Sequence, residues 1–379
     1  MKIGIIGAGI SGLVLANILD QLGLSFELYE QDDSLNKDQR DIVLTPNASQ
    51  ILQKFDFLKM IQQVAHQIQI DEYANENLES FFKIEPEKII GSNSFPFLSL
   101  TNEAFKKNFS QKLDEKKIHY SHSITDVSQR LDKVLIKFSN GESAEFDYVV
   151  AADGMKSKIR EITFPYNIPS FVGETSISIN VGLEKFPMSP NLALHLFGHR
   201  KFFSIYPLPD KLWSCNFTSP FLESSLRAPQ KIQENLFQSF KNFNQSILNL
   251  IQQHHFKDCL IEKSYSNSHH LEIDHGRLFF IGDAAHVISP IFHQDTAQAI
   301  EGAWRLGIYL SEVLENKNDL KRYRVERKKR TQSAIQLASI VQELGSFQDK
   351  GLKKIGQGVL RKTPQMVYDY FLKKQYDLE

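Results

Sequence analysis

The sequence predicts an α/β fold in which a Rossmann-like dinucleotide-binding domain is interrupted by a β-sheet-rich domain and is followed by C-terminal helices. Three observations support this: a strand–helix–strand unit over residues 2–29, a block of strands over 171–215, and a strand-to-helix junction near residue 282. A chain that leaves the first domain and later returns to it gives this order. We expect the dinucleotide-binding domain to comprise 1–70, 100–165 and 265–340, the second domain 71–99 and 166–264, and the C-terminal helices 341–379.

Local patterning predicts the individual elements. Residues 2–6 form an apolar run, and 11–22 carry apolar side chains at helical spacing before Gly23, a residue that suits a helix end. A second strand follows at 25–29. The Asn140-Gly141 pair lies between two strand-like runs and predicts a hairpin. Further helices are expected at 48–68, 103–116, 228–253, 296–315, 318–348 and 363–374, with a buried strand at 277–281.

The composition is that of an ordinary globular chain. Among 379 residues, 44 basic and 45 acidic side chains leave a formal charge of −1, which argues against a nucleic-acid partner. Two cysteines, Cys215 and Cys259, exclude a disulfide framework and suit the cytoplasm, and no Cys/His spacing predicts a metal site. We expect no membrane span, because no uncharged apolar run is long enough. No feature of the sequence indicates an oligomeric state.

The first chemical motif is the glycine pattern Gly7-Ala8-Gly9-Ile10-Ser11-Gly12, placed between the first strand and the first helix. The first glycine permits a tight turn, the second lets a pyrophosphate approach the backbone, and the third lets helix and strand pack closely. The helix N-terminus offers N–H donors to phosphate. Glu30 ends the second strand, where its carboxylate can accept both ribose hydroxyls. The pattern therefore predicts a dinucleotide site, with a structural glycine turn as the alternative.

Two further motifs end apolar strands with an acidic residue. The first is the stretch 147–154 (DYVVAADG), followed by Ser157 and Arg160. The second is the stretch 277–286 (RLFFIGDAAH), followed by Ser289-Pro290. Ligands of open α/β sheets bind at the carboxyl ends of strands, where Asp283 would accept hydrogen bonds from a polyol chain. A helix cap is the alternative role for Asp283.

Together, the three motifs resemble the class A flavoprotein monooxygenases, the aromatic hydroxylases with the para-hydroxybenzoate hydroxylase fold. The resemblance covers most of the chain. It includes Arg40, the stretch 42–48 (IVLTPNA) and the helical region after Tyr323. The segment Asp153-Gly154 is the motif that points to this family among FAD proteins.

The resemblance implies FAD as cofactor, NAD(P)H as reducing co-substrate, and O₂ as the oxygen source. Oxygen would pass from a flavin C4a-hydroperoxide to an aromatic or polyketide-like small molecule. The cofactor carries this chemistry, so no residue is nominated as a catalyst. By resemblance, Gly7, Gly9, Gly12 and Glu30 contact the ADP half, Arg40 contacts the cofactor nearby, and Asp153 serves FAD and NAD(P)H. Asp283 contacts the ribityl chain, and Pro290, Gln294 and Asp295 lie beside the flavin ring.

The sequence departs from the family pattern around the expected flavin. His293 and Asp295 replace two glycines, Ala297 stands for an asparagine, and Asn102 stands for an arginine; Asp41 replaces a glycine. Glycines there would let the backbone approach the ring. One interpretation is divergence with FAD binding kept. The alternatives are a degenerate flavin- or nucleotide-binding protein without hydroxylase activity, or another flavin oxidoreductase on the same fold.

Asp295 is the sharpest of these departures. If the family geometry holds, residues 293–296 begin a helix whose N-terminus faces the flavin edge that becomes negative on reduction. The Asp295 carboxylate would oppose that charge unless it turns away and His293 offers a compensating donor. We also expect a largely apolar substrate pocket beside the strands of 171–215, with Phe197, Phe202, Phe203 and Tyr206 as wall or neighbouring residues.

Weaker signals leave alternatives open. The pairs His254-His255 and His269-His270 are interpreted as surface or loop histidines rather than metal ligands. His195 and His199 are in predicted strands, where each either faces a pocket or is a satisfied structural histidine. The basic C-terminal stretch 353–374 also carries apolar residues. It either makes a weak peripheral contact with a membrane or packs on the protein with a solvated basic face.

Overall fold

A computed structural model describes residues 1–35, 40–91, 95–182, 188–221, 228–266, 272–315, 319–347 and 349–378. The strands are β1 (Lys2–Ile6), β2 (Ser25–Tyr29), β3 (Asp41–Leu44), β4 (His66–Ile68), β5 (Ile70–Asn75), β6 (Ser80–Ile84), β7 (Phe97–Thr101), β8 (Ile118–His119), β9 (Ile124–Gln129), β10 (Val134–Phe138), β11 (Ser143–Phe146), β12 (Tyr148–Ala151), β13 (Ser170–Gly182), β14 (Leu192–Gly198), β15 (Lys201–Leu208), β16 (Leu212–Ser219), β17 (Leu260–Ser266), β18 (Asp274–His275) and β19 (Leu278–Phe280).

The helices are α1 (Ile10–Gln21), α2 (Pro46–Lys54), α3 (Leu58–Gln62), α4 (Pro86–Ile90), α5 (Asn102–Ser110), α6 (Lys158–Thr163), α7 (Pro229–Phe240), α8 (Gln245–Gln253), α9 (Gln294–Leu314), α10 (Leu320–Ser346), α11 (Lys350–Lys362) and α12 (Gln365–Tyr376). Short 3₁₀ turns lie at Glu115–Lys117, Pro209–Lys211, Gly282–Ala284 and Pro290–Phe292.

The N-terminal β1–α1–β2 unit belongs to a six-stranded sheet with the order β18-β19-β12-β1-β2-β8. Strand β1 pairs in parallel with β2 on one side and with β12 on the other, and β12 pairs in parallel with β19. All three chemical motifs therefore follow neighbouring parallel strands, and the carboxyl ends of these strands meet at one edge of the sheet. Helices α1 and α9 pack together over a core that the buried Ile3, Val14 and Ile300 share.

A seven-stranded sheet contains the predicted β-rich block and has the order β17-β13-β16-β15-β14-β5-β6. Strands β13 to β16 come from the expected block, and β5 joins them by pairing in parallel with β14, which places Ala193 opposite Asp71. One face of this sheet packs against α7 and α8 through a core that includes Trp213, Phe217 and Phe240. The other face is turned toward the site described below.

Two small three-stranded sheets complete the β-structure. The Asn140-Gly141 turn joins β10 and β11, as the hairpin prediction required, and β9 pairs on the other side of β10. The expected helix at 48–68 is wrong at its end, because His66–Ile68 forms β4 and pairs with β7. The expected helix at 103–116 ends at Ser110, and a separate 3₁₀ turn follows at Glu115–Lys117. Polar residues occur at the ends of both expected helices, and the sequence pattern there does not indicate where each helix ends.

The C-terminal region is helical, as expected, and adds a helix that the sequence prediction left out, α11. Helix α10 packs on α9 and α11, while α11 and α12 both rest on strand β6. The division of the chain into domains remains a prediction. Its expected limit at residue 341 lies within α10. Of the described helices, none has the length and apolar character needed to cross a membrane.

Candidate active site

The glycine loop between β1 and α1 has the geometry that its sequence pattern predicts. Gly7 has a φ of +102°, and a side-chain carbon there would lie 2.4 Å from the carbonyl oxygen of Ala152. A carbon on Gly12 would lie 1.9 Å from the Gly7 carbonyl oxygen, so only glycine lets α1 start this close to the strand. Gly9, in contrast, has open space on its free side and lines a cavity. The open side is where a pyrophosphate would approach.

Glu30 lies against this loop. The backbone N–H of Ala8 donates to Glu30 Oε2 at 2.8 Å, and the N–H of Asp32 donates to Glu30 Oε1 at 3.1 Å. Each carboxylate oxygen has two lone pairs, so both retain capacity for a further donor. The carboxylate is therefore held beside the phosphate-binding turn and can still accept ribose hydroxyls.

The second and third motifs are joined by Arg160. Its buried guanidinium donates from Nε to the Ala284 carbonyl and from Nη2 to the Glu272 carbonyl, both at 2.5 Å, and lies 4.5 Å from the centre of the Phe280 ring. Asp153 accepts from the backbone N–H of Lys158 at 2.8 Å and so caps α6. Burial raises the pKa of the Asp153 carboxyl. The Asp-Gly motif thus supports the ends of β12 and β19, at the edge where Asp283 reaches the cavity.

Asp283 lies in the 3₁₀ turn Gly282–Ala284 directly after β19, and it lines the cavity together with Ser289 and Pro290. Its place is therefore in the turn after the strand and not at the start of α9. A side-chain carbon on Gly282, whose φ is +59°, would lie 2.7 Å from Ser11 Oγ. A glycine at position 282 is therefore needed for the close contact between the third motif and Ser11 of the glycine loop.

The residues around His293 begin α9, as the sequence predicted. His293 has left-handed backbone (φ 54°) and stands at the N-cap, and α9 starts at Gln294. Asp295, half-buried in the first turn, lines the cavity. Burial raises the pKa of its carboxyl. Gln294 is buried and points elsewhere: its Oε1 accepts from Asn47 Nδ2 at 3.3 Å.

Two further polar residues, Arg40 and Asn102, line the same cavity. Arg40 lines the wall, with its Nε 3.7 Å from Glu262 Oε1. Asn102, the residue that stands where the family pattern has arginine, is buried at the start of α5 and also lines the cavity.

The cavity has a volume of about 750 Å³ and extends from the glycine loop to the seven-stranded sheet. The expectation of a largely apolar wall is wrong on the sheet side, because alternate residues of β13, β15 and β16 present polar groups. They are Ser176, Ser178, Ser204, Asn216 and Thr218. Of the four expected aromatic residues, Phe202 and Tyr206 line the cavity. Phe203 is buried on the opposite face of the sheet, and Phe197 is buried beneath the wall.

Asp71 is the centre of a buried polar cluster at this wall, and sequence reasoning missed it. Its Oδ1 lies 2.6 Å from His195 Nε2, and its Oδ2 lies 2.9 Å from the Tyr73 hydroxyl and 3.7 Å from His293 Nε2. The single proton of the Tyr73 hydroxyl is shared between this carboxylate and the Ile291 carbonyl, which is 2.5 Å away. The cluster therefore connects the sheet to the turn that begins α9. His199, by contrast, is a structural histidine, with its Nδ1 3.0 Å from the Phe347 carbonyl.

The protonation states of this cluster follow from its hydrogen bonds. Burial alone would raise the pKa of the Asp71 carboxyl, but the adjacent His195 and, after it, His293 hold that pKa below the usual range. Burial lowers the pKa of His195. We infer that Asp71 is ionised and accepts a hydrogen bond from the Nε2–H group of a neutral His195. The other ring nitrogen, Nδ1, is buried at the cavity wall with no hydrogen-bond partner among the described residues.

The same cluster has the composition of a metal site. Ligand atoms of Asp71, His195 and His293 all lie within 4.8 Å of one another. Two of these residues already share a short hydrogen bond, which a metal ion at those atoms would have to displace. The arrangement is accounted for by hydrogen bonding, and the expected absence of a metal remains a prediction. The pairing of β5 with β14 creates the cluster, and no local signal in either strand indicates it.

Comparisons with known proteins agree with the geometry. The family model described as an FAD binding domain matches residues 1–338. The chain is 26% identical over 321 residues to 3-amino-4-hydroxybenzoate 2-monooxygenase PtmB3 of Streptomyces platensis, covering 80% of this chain and 78% of that protein. It is 23% identical to 6-hydroxynicotinate 3-monooxygenase of Pseudomonas fluorescens, over 84% and 85% of the two chains.

Among solved structures, Klebsiella pneumoniae HpxO complexed with FAD and uric acid shares the fold, with a TM-score of 0.88 at 19% identity over 99% of this chain and 96% of that one. The α/β class and the Rossmann-like fold predicted from the sequence are confirmed. The chain belongs to the class A FAD-dependent monooxygenases, the aromatic-hydroxylase family.

Proposed function

We propose that this monooxygenase hydroxylates an aromatic or polyketide-like small molecule that carries an ionisable hydroxyl or ring N–H group. NAD(P)H is its reductant and O₂ its second substrate. One observation carries the proposal: one cavity is lined by the glycine loop, Asp283 and Pro290 and also by the His195 imidazole. A cofactor held by the first three would share this cavity with a substrate held against His195.

The residues present fit FAD. The open side of Gly9 and the N-terminus of α1 suit the pyrophosphate, and Glu30, held beside Ala8, suits the adenosine ribose. We assign Asp283 to the ribityl chain, and Pro290 and Asp295 to the flavin end of the cavity, which they line. Bound FAD supplies hydride acceptance and oxygen activation.

The remaining assigned residues act less directly. Arg40 lines the cavity and is assigned to the cofactor. We assign Gly7, Gly12 and Asp153 to shaping the binding edge, since each supports the backbone there. Gln294 is assigned to holding the first turn of α9 through Asn47, because its amide is bonded there.

His195 is the group that we assign to proton transfer from the substrate. Its Nδ1 lone pair would accept the proton of a substrate O–H or N–H, which leaves the substrate anionic and richer in electrons for oxygen transfer. The imidazolium that forms is stabilised by the carboxylate of Asp71, 2.6 Å away. Tyr73, bonded to the same carboxylate, fixes its orientation. The proton therefore moves from substrate to Nδ1, while the Nε2 proton stays in place.

The polar wall narrows the class of substrate. Hydroxyl and amide groups of Ser204, Asn216 and Thr218 face the cavity, and buried donors and acceptors favour ligands that pair with them. Phe202 and Tyr206 lie on the same face of β15 as Ser204 and add two aromatic side chains to this wall. A substrate with several polar substituents on a ring system fits this wall better than a hydrocarbon.

The test compares matched substrates in the FAD-loaded enzyme. Purified protein should be yellow. A panel of hydroxylated aromatic and heteroaromatic compounds, each paired with its O- or N-methyl derivative, is assayed for NADH and NADPH consumption, O₂ uptake and product mass. We expect a product one oxygen heavier only from compounds that keep the ionisable group. Equal turnover of the methylated partners would refute the role of His195, and a panel with no oxygenated product would refute the proposed substrate class.

A further inference from the structure

The outer surface of the C-terminal helices α11 and α12 exposes apolar side chains, none of which lines the cavity. Surface helices normally bury their apolar side. Helix α11 buries Leu360, but Leu352, Ile355 and Val359 share another side of the helix and are exposed, with Ile355 66% accessible. The apolar side of this amphipathic helix therefore faces outward.

The inner side of α11 combines the buried Leu360 with two polar residues that make specific contacts. Lys353 is buried in an ion pair with Glu76, and Gln357 donates to the Gly345 carbonyl at 2.9 Å and to the Phe197 carbonyl at 3.3 Å. These bonds fix the rotation of the helix. The outward apolar side is thus a consequence of the packing and not of a loosely attached segment.

Helix α12 continues the same character. Tyr368 and Leu372 are buried, and Tyr368 stacks on Phe82 of β6. Its exposed apolar residues are Met366, Val367, Tyr370 and Phe371. Helices α11 and α12 both rest on β6, and we call their exposed apolar residues together the C-terminal apolar surface.

The charge around this surface decides what covers it. Residues 350–376 contain seven basic residues and one acidic residue, in a chain whose formal charge is −1, and two of the basic residues, Lys353 and Arg361, are paired with Glu76 and Glu79. Four of the lysines are exposed beside the apolar residues: Lys354, Lys362, Lys373 and Lys374. A second copy of the chain docking through the same surface would bring two such positive patches together, which disfavours a symmetric dimer. An anionic lipid surface matches both the apolar residues and the charge.

We propose that the C-terminal apolar surface docks this monooxygenase on anionic membranes as a peripheral protein. The apolar residues enter the headgroup boundary, and the lysines contact lipid phosphates while their stems cover apolar surface. The end of α10, which precedes α11, lines the cavity through Ser346 and Phe347. Docking therefore places this end of the cavity near the lipid surface. The inference does not depend on the proposed proton-transfer role of His195.

The test measures flotation of the FAD-loaded full chain with phosphatidylcholine vesicles, with and without added phosphatidylglycerol. We expect flotation with the anionic vesicles, weak flotation with the neutral ones, and loss of binding as salt is raised. Lys354→Gln and Lys373→Gln should each weaken partitioning by about fivefold. Ile355→Ser should weaken it by about tenfold.

The matched control is Leu131→Ser, which removes a fully exposed apolar side chain on another sheet, in the turn between β9 and β10. It should float like the wild type, and all variants should retain bound FAD. Absence of wild-type flotation, or equal loss in the control, would overturn the proposal. Sedimentation that shows a dimer lost in Ile355→Ser, without vesicle binding, would assign the surface to a second copy and would also overturn it.

Discussion

Replacing Asp71 by asparagine isolates the charge of the Asp71–His195 pair while preserving its shape. Both residues are almost fully buried, and the two atoms in contact are 2.6 Å apart. Asparagine can still accept from His195 Nε2 through its Oδ1, and its Nδ2 can donate to the Tyr73 hydroxyl oxygen, whose own proton then goes to the Ile291 carbonyl, so we expect the fold to persist. What is lost is the negative charge that stabilises the imidazolium formed when Nδ1 takes a proton.

The magnitude follows from the buried geometry. Two unit charges about 4 Å apart at an effective dielectric near 20 interact by about 4 kcal/mol, which is an upper bound on the effect. A charged hydrogen bond exceeds a neutral one by about 1 kcal/mol, which is a lower bound. The pKa of His195 should therefore fall by about 1 to 3 units in Asp71→Asn.

The sign of the pH effect is defined by the base role. His195 works as a base when neutral, so kcat/KM falls as pH drops through its pKa, which burial already lowers. In Asp71→Asn the acid limb should move to lower pH, because removing the carboxylate lowers that pKa further. The plateau should fall by about a hundredfold, because the imidazole becomes a weaker base.

The assay is the pH profile of kcat/KM for the best hydroxylated substrate, measured as product formed. Asp147→Asn is the matched control. The Asp147 carboxylate accepts from the backbone N–H of Lys2 in β1, which belongs to a different sheet from the β5 strand of Asp71. It should leave the profile unchanged. If Asp71→Asn lowers the plateau without moving the acid limb, Asp71 only supports the fold and the base lies elsewhere. Loss of activity with loss of bound FAD would likewise contradict the reasoning.

Three further predictions concern the cofactor site. Glu30→Ala should weaken FAD binding about ten- to a hundredfold by losing a charge-assisted hydrogen bond; unchanged affinity by fluorescence titration would refute the ribose assignment. Gly12→Ala should abolish FAD retention, because its Cβ would lie 1.9 Å from the Gly7 carbonyl oxygen; a yellow variant of normal stability would contradict this. Asp295→Asn should raise the flavin reduction potential, measured against a reference dye, because it removes a carboxylate from the cavity wall. An identical potential would place Asp295 away from the flavin edge.

The sequence alone determined the cofactor half of this protein. The glycine spacing, the acidic residue after β2 and the apolar strand before Asp283 are local patterns, in which each residue needs only its neighbours along the chain to define its geometry. The hairpin at Asn140-Gly141 was predictable for the same reason, and the helix expected from residue 296 is present as α9, which starts at Gln294. These local elements indicate the family and the cofactor without any information on contacts between distant strands.

Only the tertiary structure decided the substrate half. Asp71 and His195 are 124 residues apart and meet because β5 pairs in parallel with β14, a register that no local pattern specifies. The sequence also left open which face of β15 lines the cavity. Alternation shows that Phe202 and Phe203 point to opposite faces of the sheet, but it does not show which of the two residues faces the cavity. The sequence also did not show which side of α11 is exposed. An amphipathic pattern defines two sides of a helix, and the contacts of Gln357 and Lys353 determine which of them faces the protein.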